Sequence, residues 1–173
     1  MKNTLLFTLI LCASTCVNAQ NEMNLETSIG LPLGNSRTIS SFKMTLGLNY
    51  LFKISPKLHL GPTIGYHYNN GKTVTESDET STLIMTTGNL HYLPFAVATR
   101  YAVTDKIIIG TDLGTTLIFT PLETSCFNTS FFYYKVVSGY RLSNKTLLNL
   151  SYIGLSNEKN TLNTLHLGVT FKL

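Results

Sequence analysis

The chain has 173 residues, enough for one domain, and nothing in it suggests a second. Charged residues make up 13%, well below the usual share of about 25%, and the net charge is a mild +4 without a basic cluster or basic–aromatic interleaving, which excludes a nucleic-acid binder. Mean hydropathy is positive, yet beyond the N-terminus no apolar run approaches the roughly 18 residues of a membrane helix, a combination that suits alternating strands with one greasy face.

The first residues read as a targeting segment. Lys2 supplies the positive end, Leu5 to Ala13 the apolar stretch, and Val17-Asn18-Ala19 a small-residue cleavage site. Residues 1–19 are therefore expected to be a cleaved signal peptide and 20–173 the functional domain. The rival reading, lipidation at Cys16, is weakened because Ala13-Ser14-Thr15 makes a poor lipobox. Cleavage after Ala19 also removes Cys12 and Cys16, leaving Cys126 alone and no intramolecular disulfide. An exported domain without such staples needs another source of stability, and a closed hydrogen-bonded barrel in lipid is one.

From there the chain alternates apolar and polar residues, the period of a strand. Met23 to Leu31 is the first such run, and Pro32 to Ser41 is a loop marked by Pro, Gly, Asn and Ser. Phe42 to Phe52 is the clearest strand, with Met44, Leu46 and Leu48 on one face and Lys43, Thr45 and Gly47 on the other. Ile54-Ser55-Pro56 turns the chain into Leu58 to Tyr68. Asn69 to Asn89 is long and polar, with Thr/Ser-rich ends that could extend the flanking strands. Leu90 to Val103 and Ile107 to Phe119 follow, joined by a tight turn at Thr104-Asp105. A loop at 120–129 leads to Phe131 to Leu142. Ser143-Asn144-Lys145 turns into the strand of Leu148, Leu150 and Tyr152, and a polar loop at 155–163 precedes the final run, Thr164 to Leu173.

The count is eight strands, and their connections alternate long and short. An antiparallel up-and-down transmembrane β-barrel has this rhythm, with short periplasmic turns and longer external loops at 32–41, 69–89, 120–129 and 155–163. Eleven residues at about 3.3 Å each, tilted by about 40°, cover about 28 Å, close to the apolar band of such barrels. Pro62 and Pro94 fall inside predicted strands, where each removes a ladder donor, so a bulge or strand boundary is expected near each.

Large apolar side chains should then face lipid, with Tyr and Phe near the strand ends as girdles. The other faces hold Glu26, Lys43, Arg100, Asp112, Lys135 and Arg141 among glycines. Eight strands leave room only for packed side chains, and buried charges must pair. The expectation is a plugged lumen carrying a charge network of these six residues, centred on Glu26 and Asp112.

The terminal strand reads T-L-H-L-G-V-T-F-K-L. Its His166, Gly168, Phe171 and Leu173 resemble the C-terminal signal read by the barrel-assembly machinery. With all strands placed, the chain after Ala19 resembles the small eight-stranded outer-membrane barrels of the OmpA transmembrane-domain and OmpX type. The resemblance rests on topology and on this terminal run, not on a long shared motif. It implies insertion into the outer membrane of a Gram-negative bacterium, contact with outer-membrane lipid, and envelope-integrity or surface roles carried by the external loops. No peptidoglycan-binding domain follows Leu173, so cell-wall anchoring is not implied.

Catalytic motifs are lacking. No H-E-x-x-H or G-x-S-x-G occurs, and His59, His67, His91 and His166 show no zinc-like spacing. No cofactor or metal is expected. Two alternatives to a non-enzymatic membrane barrel stand. One is a lipid A-modifying barrel enzyme using His67 or His91 near the outer rim with Glu76, Ser77 and Asp78. The other is a secreted soluble barrel of the lipocalin sort, which would turn its apolar faces inward.

Overall fold

The computed structural model describes residues 21–34, 36–78, 81–86, 88–119, 130–157 and 161–173. The signal segment, the 120–129 loop with Cys126, and residues 158–160 of the last loop lie outside them.

The strands of the described residues are, in chain order, β1 (Glu22–Leu33), β2 (Ser40–Lys53), β3 (Leu58–Gly71), β4 (Thr73–Asp78), β5 (Ser81–Thr86), β6 (Leu90–Ala102), β7 (Ile107–Phe119), β8 (Ser130–Arg141), β9 (Thr146–Ser156) and β10 (Thr161–Lys172). All but β4 and β5 close into an antiparallel barrel of eight. Each barrel strand pairs with the next one along the chain, and β1 pairs with β10 to seal the cylinder. The seam runs from Asn24 opposite Lys172 to Leu33 opposite Asn163. Gly168 makes the close approach at this seam possible. A Cβ there would sit 2.4 Å from both the Ser28 Cβ and the Thr27 carbonyl oxygen.

The side-chain alternation read from the sequence is the alternation of the wall. Ile29, Leu46, Val97, Leu113, Leu150 and Leu167 are each at least half exposed on its outside. Glu26, Ser28, Thr45, Asn49, Asp112, Ser151 and His166 are buried inside. A water-soluble monomer rarely exposes apolar patches beyond a few hundred Å². Here the whole circumference is apolar, as hydrocarbon requires. Tyr50, Tyr101, Tyr140 and Phe171 stand exposed near the short-turn ends of their strands, and Tyr66 and Phe132 toward the other end. This orientation excludes the lipocalin alternative, whose apolar faces would line the interior.

Four sequence expectations need correcting. The 32–41 loop is mostly ordered structure: β1 runs to Leu33, one helical turn, α1 (Ser36–Ile39), follows, and β2 begins at Ser40. A single turn is too short to show a helical period. The 69–89 loop is not irregular either. After β3 ends at Gly71, β4 and β5 pair as a separate two-stranded sheet outside the barrel. Their Thr-Val-Thr and Thr-Leu-Ile-Met-Thr runs are rich in the β-branched residues strands favour. The 155–163 loop shrinks, because β9 reaches Ser156 and β10 begins at Thr161.

The fourth correction concerns the prolines. Neither produces a bulge. The β2–β3 ladder skips Tyr50–Pro62 and Leu51–Gly61, the β3–β6 ladder skips Gly65–Pro94 and Tyr66–Leu93, and both resume in the same register. The lost donor is absorbed by local unpairing. The one shift in these ladders falls between Ser40 and Phe42, where β2 enters the barrel.

Candidate functional site

A charge cluster plugs the middle of the lumen. Asp112 on β7 faces Lys135 on β8 directly across the ladder. Arg100 on β6 donates to both Asp112 oxygens, its Nη2 reaching Oδ2 at 3.3 Å. Lys135 Nζ lies 3.6 Å from Asp112 Oδ2 and donates to Glu26 Oε1 at 2.5 Å. Glu26 belongs to β1, three strands round the wall from β8, so this pair spans the lumen. Gly110, opposite Arg100 in the ladder, leaves the space its stem fills; a Cβ there would sit 2.7 Å from Arg100 Cδ. All four ionic side chains are buried, each sign answered by the other, which is the condition for burying charge cheaply.

Lys43 and Arg141 do not join them. Lys43 is buried on the inner face, but Glu26 pairs with Gly47, four residues or about 13 Å of strand away. Its Nζ instead lies 5.8 Å from the centre of the Tyr92 ring, a cation–π arrangement. Among the described residues it has no carboxylate partner. Arg141 is six residues, about 20 Å of strand, from Lys135, and its Nη1 donates to the Asp105 carbonyl at 2.9 Å near the short turns. Period-two alternation assigns a face but not a height along the barrel axis, so the sequence alone groups six residues of one face into one network.

Between Lys43 and the charge cluster is a neutral polar layer. The Ser28 hydroxyl is 3.1 Å from His166 Nδ1 and 2.5 Å from the Thr45 hydroxyl. The His67 ring meets Tyr133 edge-on, centroids 5.7 Å apart. Tyr92, Tyr133, Ile153 and Leu155 pack into an apolar cluster beside it. A space of about 20 Å³ remains between His67, Tyr133, Lys135, Glu26 and Asp112, room for a single water. The lumen is thus closed through its middle.

At the short-turn end the lumen opens into a vestibule of about 320 Å³. Glu22, Lys57, His59, Arg141, Lys145 and Lys172 stand around its mouth, and Arg100 and Glu26 form its floor. Glu22 is occupied, by Lys172 at 2.5 Å and by His59 at 3.5 Å.

The histidines scatter. His67 and His166 are buried in the lumen and His59 lines the mouth. His91 lies on the outer face, its Nδ1 2.6 Å from the Tyr66 hydroxyl. His67 and His91, the two alternatives for a lipid-directed catalytic histidine, thus lie on opposite sides of the barrel wall. In the terminal strand, His166 and Gly168 point inward while Phe171 and Leu173 face out.

No protein-family model matches the chain, and no curated protein matches it. Solved structures do. Ail, the attachment invasion locus protein of Yersinia pestis, superposes with a TM-score of 0.56 at 9% identity, over 90% of this chain and 99% of that one; it has also been solved in complex with the heparin analogue sucrose octasulfate. The outer membrane enzyme PagL gives 0.56 at 16% identity, over 87% and 99%. A de novo designed transmembrane β-barrel gives 0.55 at 18% identity, over 88% and 95%. At these identities the likeness is one of fold: the chain has the closed eight-stranded architecture of small outer-membrane β-barrels.

Proposed function

We propose that the protein is an integral outer-membrane barrel of a Gram-negative bacterium, without enzymatic activity, that serves envelope integrity or surface interaction through its outer loops and the β4–β5 hairpin. One observation carries this reading: a cylinder apolar around its whole outside and sealed through its middle by paired ions. Such a lumen offers no open aqueous path, so the surfaces left for function are the two ends. The longest connection pairs as a separate two-stranded sheet, β4–β5, a form suited to contact. Ail, an attachment protein by name, shares the fold. In export, the terminal His166, Gly168, Phe171 and Leu173 serve as the assembly signal, and the 1–19 segment is removed.

PagL keeps the lipid-modifying reading as the alternative.

The test is topological and chemical together. In a Cys126→Ser background, with Glu76→Cys in the hairpin and Asn144→Cys in a short turn, a membrane-impermeant maleimide added to intact cells labels the first and spares the second. The mass of lipid A is the same with and without the protein. Labelling of Asn144→Cys but not Glu76→Cys contradicts the orientation, and a lost or gained acyl chain contradicts the non-enzymatic reading.

A further inference from the structure

The three short turns share one construction. They read Ile54-Ser55-Pro56-Lys57, Val103-Thr104-Asp105-Lys106 and Leu142-Ser143-Asn144-Lys145. In each, the hydroxyl of the second residue accepts the lysine's backbone N–H, at 3.4, 3.2 and 3.2 Å. In each, the lysine's carbonyl accepts the N–H of a neighbouring strand end, from Ala102, Arg141 and Lys172, at 2.8 Å. Every one of these bonds uses backbone or hydroxyl atoms. The turn needs no ammonium group, yet each carries one.

Two of those cations stand at the vestibule. Lys57 and Lys145 line it directly, and the middle turn contributes through Asp105, whose carbonyl anchors the Arg141 guanidinium on the same wall. The acids there are spent: Glu22 on Lys172 and His59, and Glu26 on Lys135. Among the described residues, Lys57, Arg141 and Lys145 have no carboxylate partner. Surplus positive charge round a concave, low-dielectric recess focuses its field into that recess. The volume of about 320 Å³ is that of a small-molecule site rather than of a bare ion.

We infer that the vestibule binds a phosphate group entering from the short-turn end, carried by a small phosphorylated solute or by a lipid headgroup. Arg141 offers a planar fork to two phosphate oxygens, and Lys57 and Lys145 add point charges from either side.

The experiment is a titration of the isotope-labelled protein, in nanodiscs of zwitterionic lipid, with inorganic pyrophosphate. Amide resonances of Lys57, Gly139 and Lys145 are expected to shift saturably, with half-saturation at or below about 1 mM. The variant Lys57→Gln/Arg141→Gln/Lys145→Gln weakens this about tenfold or more, while Lys53→Gln/Lys106→Gln, which removes two cations that do not line the recess, changes it less than about threefold. Both variants keep the backbone and hydroxyl bonds of the turns, and the Arg141–Asp105 bond lost in the first lies at the exposed end, so both keep the dispersed spectrum of the folded barrel. A second arm replaces a quarter of the lipid with phosphatidylglycerol and omits pyrophosphate. The same resonances moving there assign the phosphate to a headgroup; their staying still, with pyrophosphate active, assigns it to a solute. No saturable shift in either arm, or equal weakening by the two variants, overturns the inference.

Discussion

Replacing Asp112 with asparagine tests the charge cluster at its centre. Asp112 is 1% exposed and holds two cations, Arg100 through both carboxylate oxygens and Lys135 at 3.6 Å. The amide keeps the shape of the side chain and loses its charge. Lys135 retains Glu26 at 2.5 Å, but Arg100 is left without a carboxylate contact. Stranding one partner of a buried pair costs about 3–5 kcal/mol. Arg100 borders the vestibule, where water reaches it, so the lower end applies: about 3 kcal/mol, roughly a hundredfold in the folding equilibrium. Glu26→Gln should cost less, about 1–2 kcal/mol, because Lys135 still has Asp112 within reach. Reversible urea unfolding in lipid vesicles, followed by tyrosine fluorescence or band shift, measures both. An Asp112→Asn change within about 0.5 kcal/mol of the parent, or a larger loss for Glu26→Gln, refutes the reasoning.

The same unfolding assay checks three further expectations. Lys43→Met should be neutral or stabilising by about 1 kcal/mol, since it removes a buried cation that has no carboxylate partner among the described residues; a loss above about 2 kcal/mol would show a partner the geometry does not reveal. Arg141→Gln should change stability by less than about 0.5 kcal/mol, because its bond is to a carbonyl at the exposed end. Gly168→Ala should cost about 2 kcal/mol or more, its Cβ falling 2.4 Å from the Thr27 carbonyl at the seam, while Gly47→Ala, with nothing nearer than 3.8 Å, is tolerated.

The barrel was legible because hydrocarbon imposes one rule on every strand. Leu46 and Leu167 had to alternate with Thr45 and His166, and a period of two survives without any knowledge of partners. Strand count and the long-short rhythm followed from turn residues such as Ser143-Asn144. What stayed hidden depends on position along the axis. Asp112 and Lys135 meet because their strands pair them directly, and Arg100, two residues off the level of Asp112, reaches it diagonally, whereas Lys43 and Arg141 share their face at other heights. Register is set by pairing across the seam and at the Ser40–Phe42 shift, neither of which leaves a local mark. The β4–β5 hairpin did leave one, in Thr73-Val74-Thr75 and Leu83-Ile84, but its polar flanks read as loop. The repeated Ser/Thr-x-Lys of the short turns was also visible, and its meaning appears only once the three lysines are seen on one end of the cylinder.

The most direct test of the account is the environment of the outer wall. In a Cys126→Ser background, nitroxide labels at Leu46, Leu150 and Leu167, each at least half exposed in the middle of its strand, can be compared in lipid bilayers for collision with oxygen and with a water-soluble nickel chelate. Oxygen access with nickel exclusion at all three is the predicted result. Ready access to nickel at these positions, in a protein that stays folded without lipid or detergent, would contradict it.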